Sequence, residues 1–460
     1  MNPSESRQLL RLALREDLST FIHRTFREVS PGGEFVHAWY VDAIAHVLTL
    51  CAQRKITRLI INMPPRYGKS ICTSVAFAAW ILGRNPKERI ICASYGDELS
   101  GEFARDTRKV LQAPWYQSAF PSARIGKRAA AHDVRTTMGG GRYATSVGGT
   151  LTGIGGSIII VDDPNKAEDA TSEAGRERVR EWFRSTLITR LNDRSTGVII
   201  IVQQRLHVED LSGYLMESGE DWLQLSLPAI AEEDQKIAVG PGRTYHRPVG
   251  ELLHPQRDTI EALMAQKRAM GSHPFSAQYQ QEPVPLDGEI VKWGWFQTYD
   301  DAPFLKADHK YVQSWDTAMK SGELNDHSVG TTWLIQDGNF YLLDVVRLRL
   351  QFPDLKRAVI AAAQRWEPST LLIEDKASGT SLIDVLIEEQ PQCVPRPIRR
   401  EPKADKITRM YAQANAIEQG RVFLPREAPW LAVLKTELLQ FPNGRHDDQV
   451  DSISQFLEWA

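Results

Sequence analysis

"TRLIINMPPRYGKSICTSVAFAAWIL" (57–82) sets the fold class, because it reads as a strand, a turn and a buried helix in immediate succession. The run 57–63 is aliphatic and β-branched and stops at Pro64-Pro65, whereas 70–82 has the length and mixed small and large apolar residues of a core helix. Between them, "MPPRYGKS" (63–70) resembles the phosphate-loop pattern G-x-x-x-x-G-K-[ST], with Gly68, Lys69 and Ser70 in place and Met63 where the first glycine is expected. Working outward, "ERIICAS" (88–94), "SIIIVDD" (157–163) and "TGVIIIVQQ" (196–204) read as further buried strands, with a helical segment over 174–191. Strands that alternate with helices imply an α/β fold with a parallel, doubly wound sheet.

The chain has 460 residues, 42% of them hydrophobic, enough for two or three domains at roughly 150 residues each. Charges interrupt the apolar period of the first 26 residues, which argues against a signal peptide, and no run approaches the ~18 apolar residues of a membrane span. The four cysteines (51, 72, 92 and 393) lack C-x-x-C spacing, so reduced thiols in a reducing compartment are expected rather than disulfides or zinc. A net charge of −3 confines any polyanion contact to a local patch, for which "RPIRREPKADKITR" (396–409) is the densest candidate. Such a run also serves as a solvated basic face.

From about 228 to 300 the composition turns to proline, glycine and polar residues with one clear helix near 258–270, and a linker is expected there. The expected organisation is therefore 1–228, a linker or subdomain over 229–300, and 301–460. The last block alternates again: a strand over 310–319, paired strands over 327–350 turning at Asp337-Gly338, a helix over 353–366, a strand over 369–376, a helix from Ser381 and a terminal helix over 446–459.

A turn between strand and helix binds phosphate because backbone N–H groups and the helix N-terminus point at the anion, while a lysine neutralises it and a serine holds magnesium. Lys69 and Ser70 sit at that place, and Arg66 either reaches the γ-phosphate or is a surface cation. "SIIIVDD" carries Asp162 and Asp163 to the end of a strand, where ligands of parallel sheets bind. One carboxylate can hold Mg²⁺ and the next can orient the attacking water; alone, the pair would read as a turn closing the strand at Pro164. The eight glycines of 137–156 are too irregular for a dinucleotide fingerprint and read as a mobile turn. Gln203, Gln204 and Arg205, at the end of another strand, are placed either to sense phosphate or simply to turn the chain.

Three acidic stations recur in the second half: Asp316 in a strand, Glu374 in a second strand, and Asp447-Asp448-x-x-Asp451 at the start of the last helix. Two strand carboxylates with one at a helix start can hold two divalent metals about 4 Å apart, as a phosphodiesterase requires. Each station alone is more often a structural acid, favoured at a helix start by the helix dipole, than a catalytic one. Asp326 and Asp375 are spare candidates, and His446 is either a neighbour of the site or a cap.

The order "MPPRYGKS", "IIIVDDP", "SWDTA", "LLIEDKASGT", "DKITR", "FLP" and "HDDQVDSI" resembles the large subunit of a tailed-bacteriophage terminase over nearly the whole chain. That resemblance removes the objection from Met63, since the family's phosphate loop commonly lacks the first glycine. It implies an N-terminal P-loop-type ATPase that drives double-stranded DNA into a procapsid, and a C-terminal ribonuclease-H-like nuclease that cuts concatemeric genomes. The cofactors implied are ATP and Mg²⁺, with Mn²⁺ an option at the nuclease site. Pro65, Arg66, Tyr67, Gly68, Lys69 and Ser70 would cradle the phosphates, Ser70 and Asp162 would hold the metal, and Asp163 would stand in the catalytic-base position where many relatives have glutamate. Where many relatives place a trans-acting arginine, Thr152 precedes Gly153, which leaves Arg142 as a substitute. Asp316, Glu374 and Asp448 match the nuclease triad, with Asp447 the rival for third place. The partners implied are DNA, a small terminase subunit, the portal protein and a ring of five copies, in the host cytoplasm rather than in the mature virion and with no membrane. A helicase–nuclease would carry further helicase motifs after the second carboxylate strand, where this chain has a nuclease-like block, and a decayed scaffold piece would have lost the catalytic positions, which are all present.

Overall fold

The computed structural model describes residues 3–33, 36–126, 132–151, 153–283, 290–301, 303, 305–306, 309–317, 327–349, 351–376, 378–402, 404–442 and 447–460. They divide into two units, 1–267 with 273–284 and 268–272 with 285–460. No helix among the described residues is long and apolar enough to cross a membrane.

The first unit is built on a seven-stranded sheet of β1 Arg58–Asn62, β2 Arg89–Ser94, β3 Asp133–Arg135, β4 Gly141–Ser146, β5 Ile158–Asp162, β6 Val198–Gln203 and β7 Leu223–Ser226. Its order is β3-β4-β2-β5-β6-β1-β7, parallel throughout except for the β3–β4 pair. The aliphatic runs in β1, β5 and β6 follow from this topology, because a parallel sheet is covered on both faces. Ile158, Ile160, Val198 and Ile200 enter one core, and Ile159, Val161, Ile199 and Ile201 enter the other. Each such side chain contributes about 1.5–3 kcal/mol on burial. The helix expected over 70–82 runs from Lys69 to Arg84, with π winding over Ile71–Phe77. Met63 is fully buried, so an apolar side chain there packs into the core beneath the loop.

Two sequence expectations change. The glycine tract 137–156 contributes β4 rather than one mobile turn, and a Cβ on Gly140 would stand 2.4 Å from the Glu88 carbonyl oxygen, so close strand approach explains that glycine. The stretch 229–300 also divides: 229–267 and 273–283 group with the first unit, whereas 290–301 group with the second. Its prolines and glycines punctuate a hairpin, β8 Gln235–Gly240 with β9 Arg243–Arg247, instead of marking a free linker. Tyr245 stacks on Trp39 at 4.5 Å, and buried Arg247 donates to the Pro228 carbonyl at 2.8 Å, which fixes the hairpin to the unit.

The second unit carries a mixed sheet of β10 Gln297–Tyr299, β11 Lys310–Asp316, β12 Ser328–Gln336, β13 Asn339–Leu348, β14 Thr370–Glu374, β15 Ile398–Arg400 and β16 Val422–Pro425. The order is β10-β16-β13-β12-β11-β14-β15, in which β11, β12 and β13 are antiparallel neighbours and β14 and β15 add in parallel. Asp337 (φ +52°) and Gly338 (φ +72°) form the two-residue turn between β12 and β13, where both central residues need the left-handed region. The terminal helix Asp448–Trp459 buries Val450, Ile453 and Phe456, and Phe456 stacks on Trp333 at 4.2 Å.

Candidate functional site

In the first unit, β1 leads into the loop, whose bends need positive φ at Arg66 (+67°) and Gly68 (+82°). Glycine adopts this conformation without strain, whereas Arg66 does so at a cost, as functional loops often do. Arg66 is exposed. Tyr67 is buried: its hydroxyl donates to Asp258 Oδ2 at 2.7 Å and its ring lies 5.1 Å from the Arg257 guanidinium. The carboxylates stand at the end of β5, with β6 between them and the loop strand. Lys69 Nζ pairs with Asp163 Oδ2 at 2.9 Å. Asp163 (φ +44°) also accepts the Gln204 amide at 3.1 Å. Asp162 is buried and accepts from Ser70 Oγ at 3.0 Å and Ser74 Oγ at 2.6 Å. Burial and the adjacent Asp163 push the Asp162 carboxyl up to about 7, against Ser74, Lys69 and Ser70, which pull it down. A cavity of about 750 Å³ opens over this cluster, lined by Lys69, Ser70, Asp163 and Gln204 together with Tyr40 and Arg257. Its size suits a nucleotide.

Two sequence candidates take other roles. Arg205 is tied to both oxygens of Asp210, at 3.0 and 2.9 Å, which leaves Gln204 as the member of that trio facing the cavity. Arg142 is fully buried and donates through Nε to the Ser74 carbonyl at 3.2 Å, so it is no substitute for an arginine reaching another subunit. Thr152 lies outside the described residues.

In the second unit Asp316 ends β11 and Glu374 ends the neighbouring parallel strand β14. Burial, then Asp451 and Glu374, hold the Asp316 carboxyl well above the usual range. Glu374 pairs with Lys376 at 3.0 Å and lies 3.9 Å from Arg409. The terminal helix turns its face toward β11: Ser452 Oγ donates to the Ser314 carbonyl at 2.8 Å, and Gln455 Nε2 donates to the Trp315 carbonyl at 3.2 Å. Asp451, on that face, is buried and bound by Lys406 at 2.5 Å and Arg409 at 2.7 Å. Asp447 at the helix start pairs with Lys406 at 2.7 Å. Asp448 approaches His327 at 3.7 Å, its Oδ2 is buried and accepts no hydrogen bond among the described residues, and burial followed by Glu437 raises its carboxyl.

Asp451 thus joins the acidic group beside Asp316, a position the sequence placed in the third station without singling it out. The available signal was its i, i+3 spacing from Asp448, which puts both on one helix face. Among the described residues no three His, Cys, Asp or Glu side chains are already spaced to hold a metal ion together. Lysine and arginine occupy the carboxylate oxygens instead. The basic run 396–409 supplies much of this counter-charge: Lys406 and Arg409 turn inward, Arg399 pairs with Asp375 at 3.2 Å and Arg400 with Glu458 at 3.2 Å. Asp326 and His446 lie outside the described residues. Cys51, Cys72 and Cys92 are buried free thiols, and Cys393 is exposed.

Comparison with known proteins gives one family, described as the terminase RNaseH-like domain, which matches residues 313–459, about a third of the chain. No curated protein matches the sequence. Among solved structures, the large terminase of a thermophilic bacteriophage in complex with ADP is similar at 11% identity and a TM-score of 0.48, covering 89% of this chain and 98% of that one. The large terminase of bacteriophage HK97 is similar at 10% identity and a TM-score of 0.38, covering 97% of this chain and 99% of that one. The human cytomegalovirus terminase nuclease domain, Mn soaked and inhibitor bound, is similar at 11% identity and a TM-score of 0.28, covering 37% of this chain and 94% of that one. Residues 313–459 are therefore similar to the terminase RNaseH-like domain family.

Proposed function

We propose that this chain is the large subunit of a bacteriophage terminase, whose first unit hydrolyses ATP to drive double-stranded DNA into a procapsid and whose second unit cuts concatemeric DNA. The observation that carries this reading is the presence in one chain of a phosphate loop beside strand-end carboxylates and of a domain matched by the terminase family.

At the nucleotide site, Lys69 trades Asp163 for the phosphates when ATP enters. Asp163, still fixed by the Gln204 amide, is then free to orient and deprotonate the attacking water. Pro65, Arg66, Tyr67 and Gly68 shape the loop, with Arg66 reaching the γ-phosphate. The oxygen-only set of Ser70 and Asp162 suits Mg²⁺, which supplies charge neutralisation on the phosphates when bound.

At the nuclease site Asp316, Glu374 and Asp448 would hold Mg²⁺ or Mn²⁺, with Asp447 the rival to Asp448. The clustered buried carboxyls and the orphaned Asp448 Oδ2 support a cation there. Such ions activate water and stabilise the leaving oxygen. Lys376, Lys406 and Arg409 neutralise the acids and would have to give up these pairs for the acids to hold a cation. A small terminase subunit, the portal and a five-membered ring are the partners, and the work is done in the host cytoplasm, outside the mature virion.

The test is plasmid cleavage with Mg²⁺ or Mn²⁺ by the wild type, Asp316→Ala and Glu374→Ala, with ATP hydrolysis followed in the same samples. Cleavage lost in both variants while hydrolysis survives is expected. Cleavage retained in both would remove the nuclease assignment of these acids.

A further inference from the structure

Ser74 lies four residues beyond Ser70 in the helix that follows the phosphate loop, inside the π-wound segment Ile71–Phe77. π winding is rare and concentrates at functional sites. Here two hydroxyls close on opposite oxygens of one carboxylate: Ser70 Oγ donates to Asp162 Oδ1 and Ser74 Oγ to Asp162 Oδ2. Ser70 belongs to the phosphate-loop pattern. Ser74 lies outside it, yet its bond of 2.6 Å is the shorter of the two.

The turn that carries Ser74 is itself gripped. Its backbone carbonyl accepts from Arg142 Nε at 3.2 Å and from Thr107 Oγ1 at 3.4 Å. Arg142 is completely buried, and its two terminal nitrogens reach no oxygen acceptor among the described residues. A guanidinium in the interior is costly unless it is bonded and matched by nearby negative charge. The Cys92 thiol hydrogen-bonds to Arg142, the Asp106 carboxyl feels the Arg142 charge, and Asp162 lies on the other side of Ser74.

A carboxylate held on one oxygen alone can turn about its last torsion, which is broad. Held on both, it presents one plane. We propose that Ser74, with Arg142 beneath it, is a positioning residue for the divalent cation of the nucleotide site: it takes Asp162 Oδ2 and leaves Oδ1, shared with Ser70, as the oxygen turned to the metal. This rests on the nucleotide-site reading above.

The experiment is binding of a fluorescent ADP analogue to the full chain, titrated with Mg²⁺ and repeated in EDTA, with thermal unfolding measured alongside. Ser74→Ala is expected to raise the half-saturating Mg²⁺ concentration about tenfold, the usual scale for partners that orient a metal ligand, while binding in EDTA stays at the wild-type level. Thr107→Ala, which touches the same carbonyl but not the carboxylate, is expected to lower the unfolding temperature slightly and leave the Mg²⁺ titration unchanged. An unchanged titration in Ser74→Ala would overturn the proposal, as would an equal shift in Thr107→Ala. Wild-type binding that is indifferent to Mg²⁺ would instead remove the nucleotide-site reading, and this inference with it.

Discussion

In the first unit Asp162 is buried against two serine hydroxyls, whereas in the second Asp451 is buried against a lysine and an arginine, with Glu374 beside the same arginine and a second lysine. Hydroxyls orient a carboxylate without cancelling its charge, so the first arrangement stays attractive to a cation. Ammonium and guanidinium groups do cancel it, so the second stays stable without a metal and must exchange partners to accept one. Breaking a buried ion pair such as Arg409–Asp451 by removing one partner typically costs about 3–5 kcal/mol, which makes that arginine part of the fold as well as of the chemistry.

The most severe way to break the comparison is to disable each site alone. Lys69→Ala is expected to reduce ATP hydrolysis roughly a hundredfold or more and to leave plasmid cleavage intact, and loss of both activities would mean that the two sites are not separable. Next, Asp448→Asn is expected to weaken Mn²⁺-dependent cleavage at least about tenfold, whereas Asp447→Asn, whose residue is paired with Lys406, changes it little; the reverse order would make Asp447 the third ligand. A smaller effect sharpens the contrast in counter-ions. Lys406→Met is expected to lower the metal-free unfolding temperature and, by calorimetry, the Mn²⁺ concentration for half-saturation severalfold; a higher concentration would make Lys406 an ally of the metal rather than its competitor.

The smallest effect concerns acid. His207 is lowered to about 4 by burial and then by Arg176, against an ordinary value of 6.5. Its neutral form is favoured in the folded state, so the unfolded chain binds the extra proton between those values and stability falls as pH drops from about 6.5 to about 4. His207→Gln should flatten that part of the unfolding curve, and an unchanged slope would assign it to other groups.

Much of this was legible before the structure. The aliphatic runs of β5 and β6 reported a sheet covered on both faces, and the Asp337-Gly338 pair reported its own hairpin turn. What stayed hidden depended on side-chain direction. Spacing alone put Asp447, Asp448 and Asp451 on one helix, but only the contacts of Ser452 and Gln455 with β11 fix how that helix is rotated and therefore which acid faces Asp316. Arg142 stood as a substitute for the trans-acting arginine because nothing in its neighbourhood announces that β4 carries it into the interior beneath Ser74. Residues 229–300 read as a linker or subdomain because proline and glycine mark a tight hairpin and a loose tether in the same letters.

The bond from Tyr67 to Asp258 joins positions 191 residues apart within the first unit. During synthesis the phosphate loop and both of its carboxylates leave the ribosome long before their latch does. A nascent chain that has reached only residue 228 has every strand of the first sheet but not the acceptor for the Tyr67 hydroxyl, nor the hairpin that covers Trp39. The cavity over the loop is therefore among the last parts of its unit to be completed, and a fragment ended at the composition change near 228 would carry the loop unfastened.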